Sequence, residues 1–161
     1  MSEIDYVIPE IIIEKEGFID LQELYSLMKS HFLKRRYLLT EKEHHFKETS
    51  NNLEIKWDSF KKVDDYTKFH IEISIKGSNI KETTSKKHKG VSGTFKIKFE
   101  SYLEKDYEEI FENRPIYKFF RTVYDKFIIK TRFDIYNAEL KEETYLVYNE
   151  AKAFLNIKKF E

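Results

Sequence analysis

The chain has 161 residues, with 29 Lys+Arg balanced by 29 Asp+Glu, 40% hydrophobic and 16% aromatic residues, four Gly, two Pro and no Cys. That length suits one domain spanning residues 1–161, and the aromatic content is opposite to the low-hydrophobicity, high-charge signature of disorder. Without Cys there is no disulfide scaffold, thiolate nucleophile or zinc–thiolate site, and zero net charge removes any whole-chain attraction to a polyanion.

The opening MSEIDYVIPEIIIEKE lacks the cationic start and long apolar centre of a signal peptide, so it is expected to belong to the fold. No apolar run approaches the roughly 20 residues that span a bilayer, and the expectation is a soluble, cytoplasmic protein without a membrane partner. Asp20, with Glu23 three residues on, starts a capping pattern. Leu21, Leu24, Tyr25, Met28 and Phe32 then form one apolar stripe, closed by Lys34, Arg35 and Arg36, which predicts a helix over 20–35.

From Tyr37 to Leu103 the hydrophobic period becomes two. Leu53, Ile55 and Trp57 alternate with polar residues, as do Phe69 to Ile75 and Phe95 to Phe99, each predicting a strand with one dry and one wet face. Asp64-Asp65 reads as the turn between the first two, and Gly77 to Gly93 as a long loop before the third. Residues 37–47 alternate less cleanly and add a possible edge strand. Phe60 is out of phase with Trp57, which suggests a bulge or a strand end.

The helical period returns after Leu103. Asn113 and Pro115 open a helix with an Ile116, Phe119, Phe120, Val123, Phe127 stripe, and Ile128, Ile129 and Thr131 are expected to break it. Thr131 and Asp134 would open a last helix with its main stripe on Tyr136, Leu140, Val147, Ala151, Phe154 and Leu155. A second stripe, Ile135, Leu146 and Ala153, points elsewhere, so this helix is expected to bury two sides. The fold expected is α+β: a three- to four-stranded antiparallel sheet with one N-terminal and two C-terminal helices packed on one face.

Candidate chemistry is sparse. His44 and His45 follow Glu41 and Glu43, the densest group of possible metal ligands, but adjacent strand residues point to opposite faces and no thiolate or helical His pair supports them. His31, His70, Asp64-Asp65 and the Asp106/Glu108/Glu109 run are the only acid–base candidates, and none sits in a catalytic motif. No Gly-rich phosphate loop, nucleophile elbow or dinucleotide fingerprint is present. The reading is therefore non-enzymatic, without catalytic residues, cofactor or assigned metal.

Local charge is less even than the total. Residues 113–132 carry Arg114, Lys118, Arg121, Lys126, Lys130 and Arg132 against Asp125 alone, and Lys86, Lys87 and Lys89 cluster near the tip of the long loop. Arg114, Lys118 and Arg121 share a helix face, so a nucleic-acid-binding module using these three with Lys86, Lys87 and Lys89 is an alternative. The aromatic excess and the second stripe point instead to contact with another protein. The leading reading is a protein-interaction or assembly subunit, self-associating through Ile135, Leu146 and Ala153. A third reading is an apolar-ligand carrier with a pocket lined by Trp57, Phe69, Phe95 and Phe119.

KKVDDYTKFHIEI at residues 61–73, YLEKDYEEIFENRPIYKFFRTVYDKFIIKTRF at 102–133 and KAFL at 152–155 resemble a family of uncharacterised small archaeal proteins. The resemblance implies an archaeal, cytoplasmic origin. It brings no activity and no catalytic residue with it.

Overall fold

A computed structural model describes residues 2–84, 89–107 and 130–157, together with 119, 120, 122, 123 and 126. In chain order the elements are β1 (Glu3–Ile19), α1 (Leu21–Lys34), β2 (Leu38–Lys47), β3 (Asn52–Lys62), β4 (Thr67–Thr84), β5 (Lys89–Lys105) and α2 (Lys130–Ile157). The strands form one antiparallel sheet in the order β1-β5-β4-β3-β2, with both helices contributing to the core on one of its faces. The fold is thus α+β.

β2 to β5 form a meander, and β1 closes the far edge against β5, so α1 must carry the chain from one edge of the sheet to the other. Fourteen helical residues span about 21 Å, and four inter-strand spacings add up to about 19 Å. The helix is as long as the sheet is wide. Asp20 caps it, accepting a hydrogen bond from the Glu23 amide at 2.9 Å, and Arg36, at φ 66°, turns the chain into β2.

The covered face is built from the alternation seen in the sequence. Leu53, Ile55 and Trp57 of β3, Phe69, Ile71, Ile73 and Ile75 of β4, and Phe95, Ile97, Phe99 and Leu103 of β5 are all buried. Leu24, Met28 and Phe32 of α1 and Phe133, Leu140, Val147, Ala151 and Leu155 of α2 pack on them. Each such side chain contributes roughly 1.5–3 kcal/mol on burial.

The sheet has five strands rather than three or four. β1 escapes the period-two reading because Ile11-Ile12-Ile13 is continuous and because register shifts between Tyr6 and Ile8 and between Ile8 and Ile11, around Pro9, change its phase. The stretch 77–93 is mostly strand: β4 runs to Thr84 and β5 resumes at Lys89. A register shift between Ser78 and Lys81, with Asn79 at φ 54°, turns Ile80 into the core. The expected turn at Asp64-Asp65 does join β3 to β4, with Asp64 Oδ1 accepting from the Tyr66 and Thr67 amides at 2.9 and 2.6 Å. Phe60 marks neither a bulge nor a strand end, since β3 continues to Lys62 in unbroken register with β4; the bulge is in β2, between Glu41 and Glu43.

At the C-terminal end, α2 is helical from Lys130, inside the stretch expected to break, and Thr131 and Asp134 lie within it rather than capping it. The helix expected from residue 113 falls mostly outside the described residues, of which Phe119, Phe120, Thr122 and Val123 are helical.

Candidate binding surfaces

The uncovered face of the sheet is ordered in rows that run across the strands. Register aligns Leu38, Phe60, His70, Tyr102 and Tyr6 on five successive strands, giving an aromatic row. Asp58, Glu72 and Glu100 form the next row. Then come Glu43, Lys56, Ser74 and Lys98, then His45, Glu54, Lys76, Lys96 and Glu14.

His70 organises the first two rows. Its ring stacks on Tyr102 at a centroid distance of 4.7 Å and an interplanar angle of 9°, with Phe60 on the other side at 6.0 Å. Nδ1 faces Asp58 Oδ1 at 3.3 Å and Nε2 faces Glu104 Oε2 at 2.7 Å. Burial alone would push the Asp58 carboxyl up, but hydrogen bonds and charge from His70 and Lys42 outweigh it and hold Asp58 below the usual carboxylate range. The Tyr102 hydroxyl donates to Glu72 at 3.0 Å, and burial with the adjacent Glu72 charge pushes its pKa well up, so it remains a donor. This arrangement engages both ring nitrogens of His70 and covers both its faces. It cross-links β3, β4 and β5 and leaves no nitrogen open for acid–base work on a substrate.

Beyond the acidic row the open face is hollowed into a trough of about 690 Å³, lined in part by Glu14, Glu16, His45, Glu54, Lys76 and Lys96. An adjoining hollow of about 340 Å³ lies over Lys56, Ser74 and Lys98. Hydrogen bonds to Glu72 and Glu100 raise the pKa values of Lys56 and Lys98, so both stay charged.

The second surface is the outer side of α2. The inner side is tied to the sheet and to α1 by polar contacts spaced seven residues apart, which keeps them on one face of the helix. Tyr136 donates to Asp64 Oδ2 at 2.9 Å, and burial with this contact pushes the tyrosine pKa up to about 12. Glu143 accepts from Tyr37 and from Lys61 Nζ, the latter at 2.9 Å, and burial and the Glu143 charge push the Tyr37 pKa far up. Glu150 contacts His31 Nδ1. Burial, together with the Arg35 charge, lowers the His31 pKa more than Glu150 and Glu143 raise it, so the neutral ring donates to the carboxylate.

With one side fixed in this way, Ile135 and Leu146 are left 60% and 41% exposed, and Ala153 is exposed in line with them. Tyr145, also 41% exposed, borders the strip. The second stripe read from the sequence is therefore on the surface of the chain.

His44 and His45 sit on exposed β2, opposite Ile55 and Glu54 respectively, and so point to opposite faces of the sheet. His44 Nδ1 is 3.4 Å from Glu41 Oε1, and among the described residues no three His, Asp or Glu side chains converge to hold a metal. Arg114, Lys118, Arg121, Lys86 and Lys87 lie outside the described residues, as does the side chain of Lys89, whose backbone begins β5. Of the four residues assigned to an apolar pocket, Trp57, Phe69 and Phe95 are packed in the core and Phe119 is 67% exposed. Among the described residues no helix is long and apolar enough to cross a membrane.

The lysine trough and the His70 cross-link were missed at the sequence level. Their signal was available in the wet-face residues of three alternating strands, but only the register shows which of those residues meet. No family model, curated protein or solved structure matches the chain.

Proposed function

We propose that the protein is a non-enzymatic assembly subunit that self-associates through the outer side of α2. The observation that carries this reading is the exposure of Ile135 and Leu146, in line on a helix whose inner side is packed on the core and polar-tethered. Large apolar side chains aligned on a rigid helix lose contact with water only when a partner covers them.

A second copy of the chain fits this strip. In an antiparallel pair about a two-fold axis near Leu146, that residue meets its own copy, as isologous interfaces require. Ala153, exposed in line with Leu146, keeps the strip low on its C-terminal side.

Light scattering across a concentration series tests the reading. The parent chain is expected to form a dimer or larger particle, and Leu146→Glu, alone or with Ile135→Glu, to give a monomer that melts at the parent temperature. A parent chain that stays monomeric at its solubility limit, or a Leu146→Glu variant that keeps its mass, overturns it.

A further inference from the structure

Lys76 on β4 and Lys96 on β5 are register partners at the centre of the open-face trough. Like charges directly opposite each other on neighbouring strands destabilise a sheet. Their row reads Glu54, Lys76, Lys96, Glu14, so both cations are in the middle and both carboxylates outside. Lys76 reaches Glu54 only at 3.6 Å, with the two side chains 70% and 50% exposed, and Lys96 forms no ion pair with a described residue. Pairing of this exposed kind offsets little of the repulsion.

The neighbouring rows fit the same pattern. On one side, Lys56 and Lys98 flank Ser74, whose small side chain keeps the floor low. On the other, Ser78 and Thr94 are register partners and present two hydroxyls. The larger trough thus carries Lys76, Lys96 and two hydroxyls, and the adjoining hollow adds Lys56 and Lys98, which Glu72 and Glu100 hold by ion pairs; each is of the size that small-molecule sites occupy.

We propose that this trough binds a small phosphate-bearing molecule, with phosphoryl oxygens bridging Lys76 and Lys96. A tetrahedral phosphate has enough oxygens to engage both ammonium groups and still accept from a hydroxyl, and lysine serves as a point charge for such groups. The carboxylates decide the size of the ligand. Glu10, Glu14 and Glu16 line the β1 side, whereas on the other side Glu43 and Glu54 stand beside His45 and Lys47. A long polyanion leaving the trough across β1 would meet three carboxylates, whereas a small anion stays among the lysines.

The test is a titration of the isotope-labelled full chain with inorganic pyrophosphate at constant ionic strength, followed by amide NMR. Saturable shifts are expected, confined to the β4 and β5 residues around 74–78 and 94–98. Lys76→Gln and Lys96→Gln should each weaken binding about tenfold, the loss of one charge-assisted contact. Without pyrophosphate each variant should melt at or above the parent temperature, because a repulsion has been removed. Shifts scattered over surface lysines, no saturation at millimolar pyrophosphate, or unchanged affinity in both variants overturns the proposal. So does a single-stranded oligonucleotide that binds more tightly than pyrophosphate at equal phosphate concentration.

Discussion

Tyr102 lies flat on His70, with ring centroids 4.7 Å apart and ring planes within 9° of parallel. The stack holds the imidazole where Asp58 and Glu104 reach its two nitrogens from β3 and β5. His70→Ala leaves those two carboxylates facing an empty space without their common partner. Removing one partner of a largely buried charged network costs more than the network contributes as a whole. The expected loss is about 2–3 kcal/mol of unfolding free energy by urea titration. A double-mutant cycle with Asp58→Asn should recover part of it, and simple additivity of the two losses would argue against the network.

The same network makes an acid-sensitive contribution through Asp58. Its folded pKa is depressed below the ordinary value of 3.8, so the folded state releases this proton more readily than the unfolded state. The stability this supplies is fully present above the unfolded pKa and is lost as pH falls through the folded value. Asp58→Asn should therefore narrow its stability deficit against the parent as pH drops below about 4. Urea titrations at pH 6, 4 and 3 measure the difference, and a deficit that stays constant with pH would contradict it.

His31 shifts stability with pH in the same direction, through burial of a base rather than pairing of an acid. Burial depresses its pKa below 6.5, so between the folded value and 6.5 the unfolded chain binds a proton that the folded chain does not. Stability then falls as pH drops through this window and levels off below the folded pKa. His31→Gln retains an amide donor for Glu150 and does not titrate. The variant should show a flatter stability profile than the parent between pH 7.5 and 5, and parallel profiles would rule His31 out as the source.

The sequence reveals the covered face more readily than the open one. Burial of Phe69, Ile71, Ile73 and Ile75 follows from a strict period of two, and the α1 stripe follows from a period of 3.6, because each apolar residue can be assigned to a face locally. The open face is different. Phe60 looks misplaced until register sets it beside His70, and Lys76 and Lys96, 20 positions apart in the sequence, meet only through the β4–β5 pairing. Glu143 and Glu150 belong to neither apolar stripe of the last helix, yet each accepts from a side chain more than 80 residues away, Lys61 and His31 respectively. β1 was lost for a further reason: two register shifts near Pro9 scramble a periodicity that the backbone pairing tolerates.

Gly93 tests how tightly the long hairpin of β4 and β5 is packed. A Cβ there would lie 2.7 Å from the Ser78 carbonyl oxygen and 3.3 Å from that of Asn79, both backbone atoms at the bulge that sends Ile80 into the core. Neither can move without disturbing the bulge. At Gly77 the nearest atom is the Ile80 Cδ1 methyl at 2.7 Å, with the Phe95 ring at 3.1 Å, and a methyl at the end of a side chain can rotate away. Gly93→Ala is therefore expected to cost about 1–3 kcal/mol, an overpacking penalty, and Gly77→Ala less. Thermal melts of the two variants check the order, and equal losses would mean that the backbone at Ser78 and Asn79 yields as easily as the isoleucine side chain.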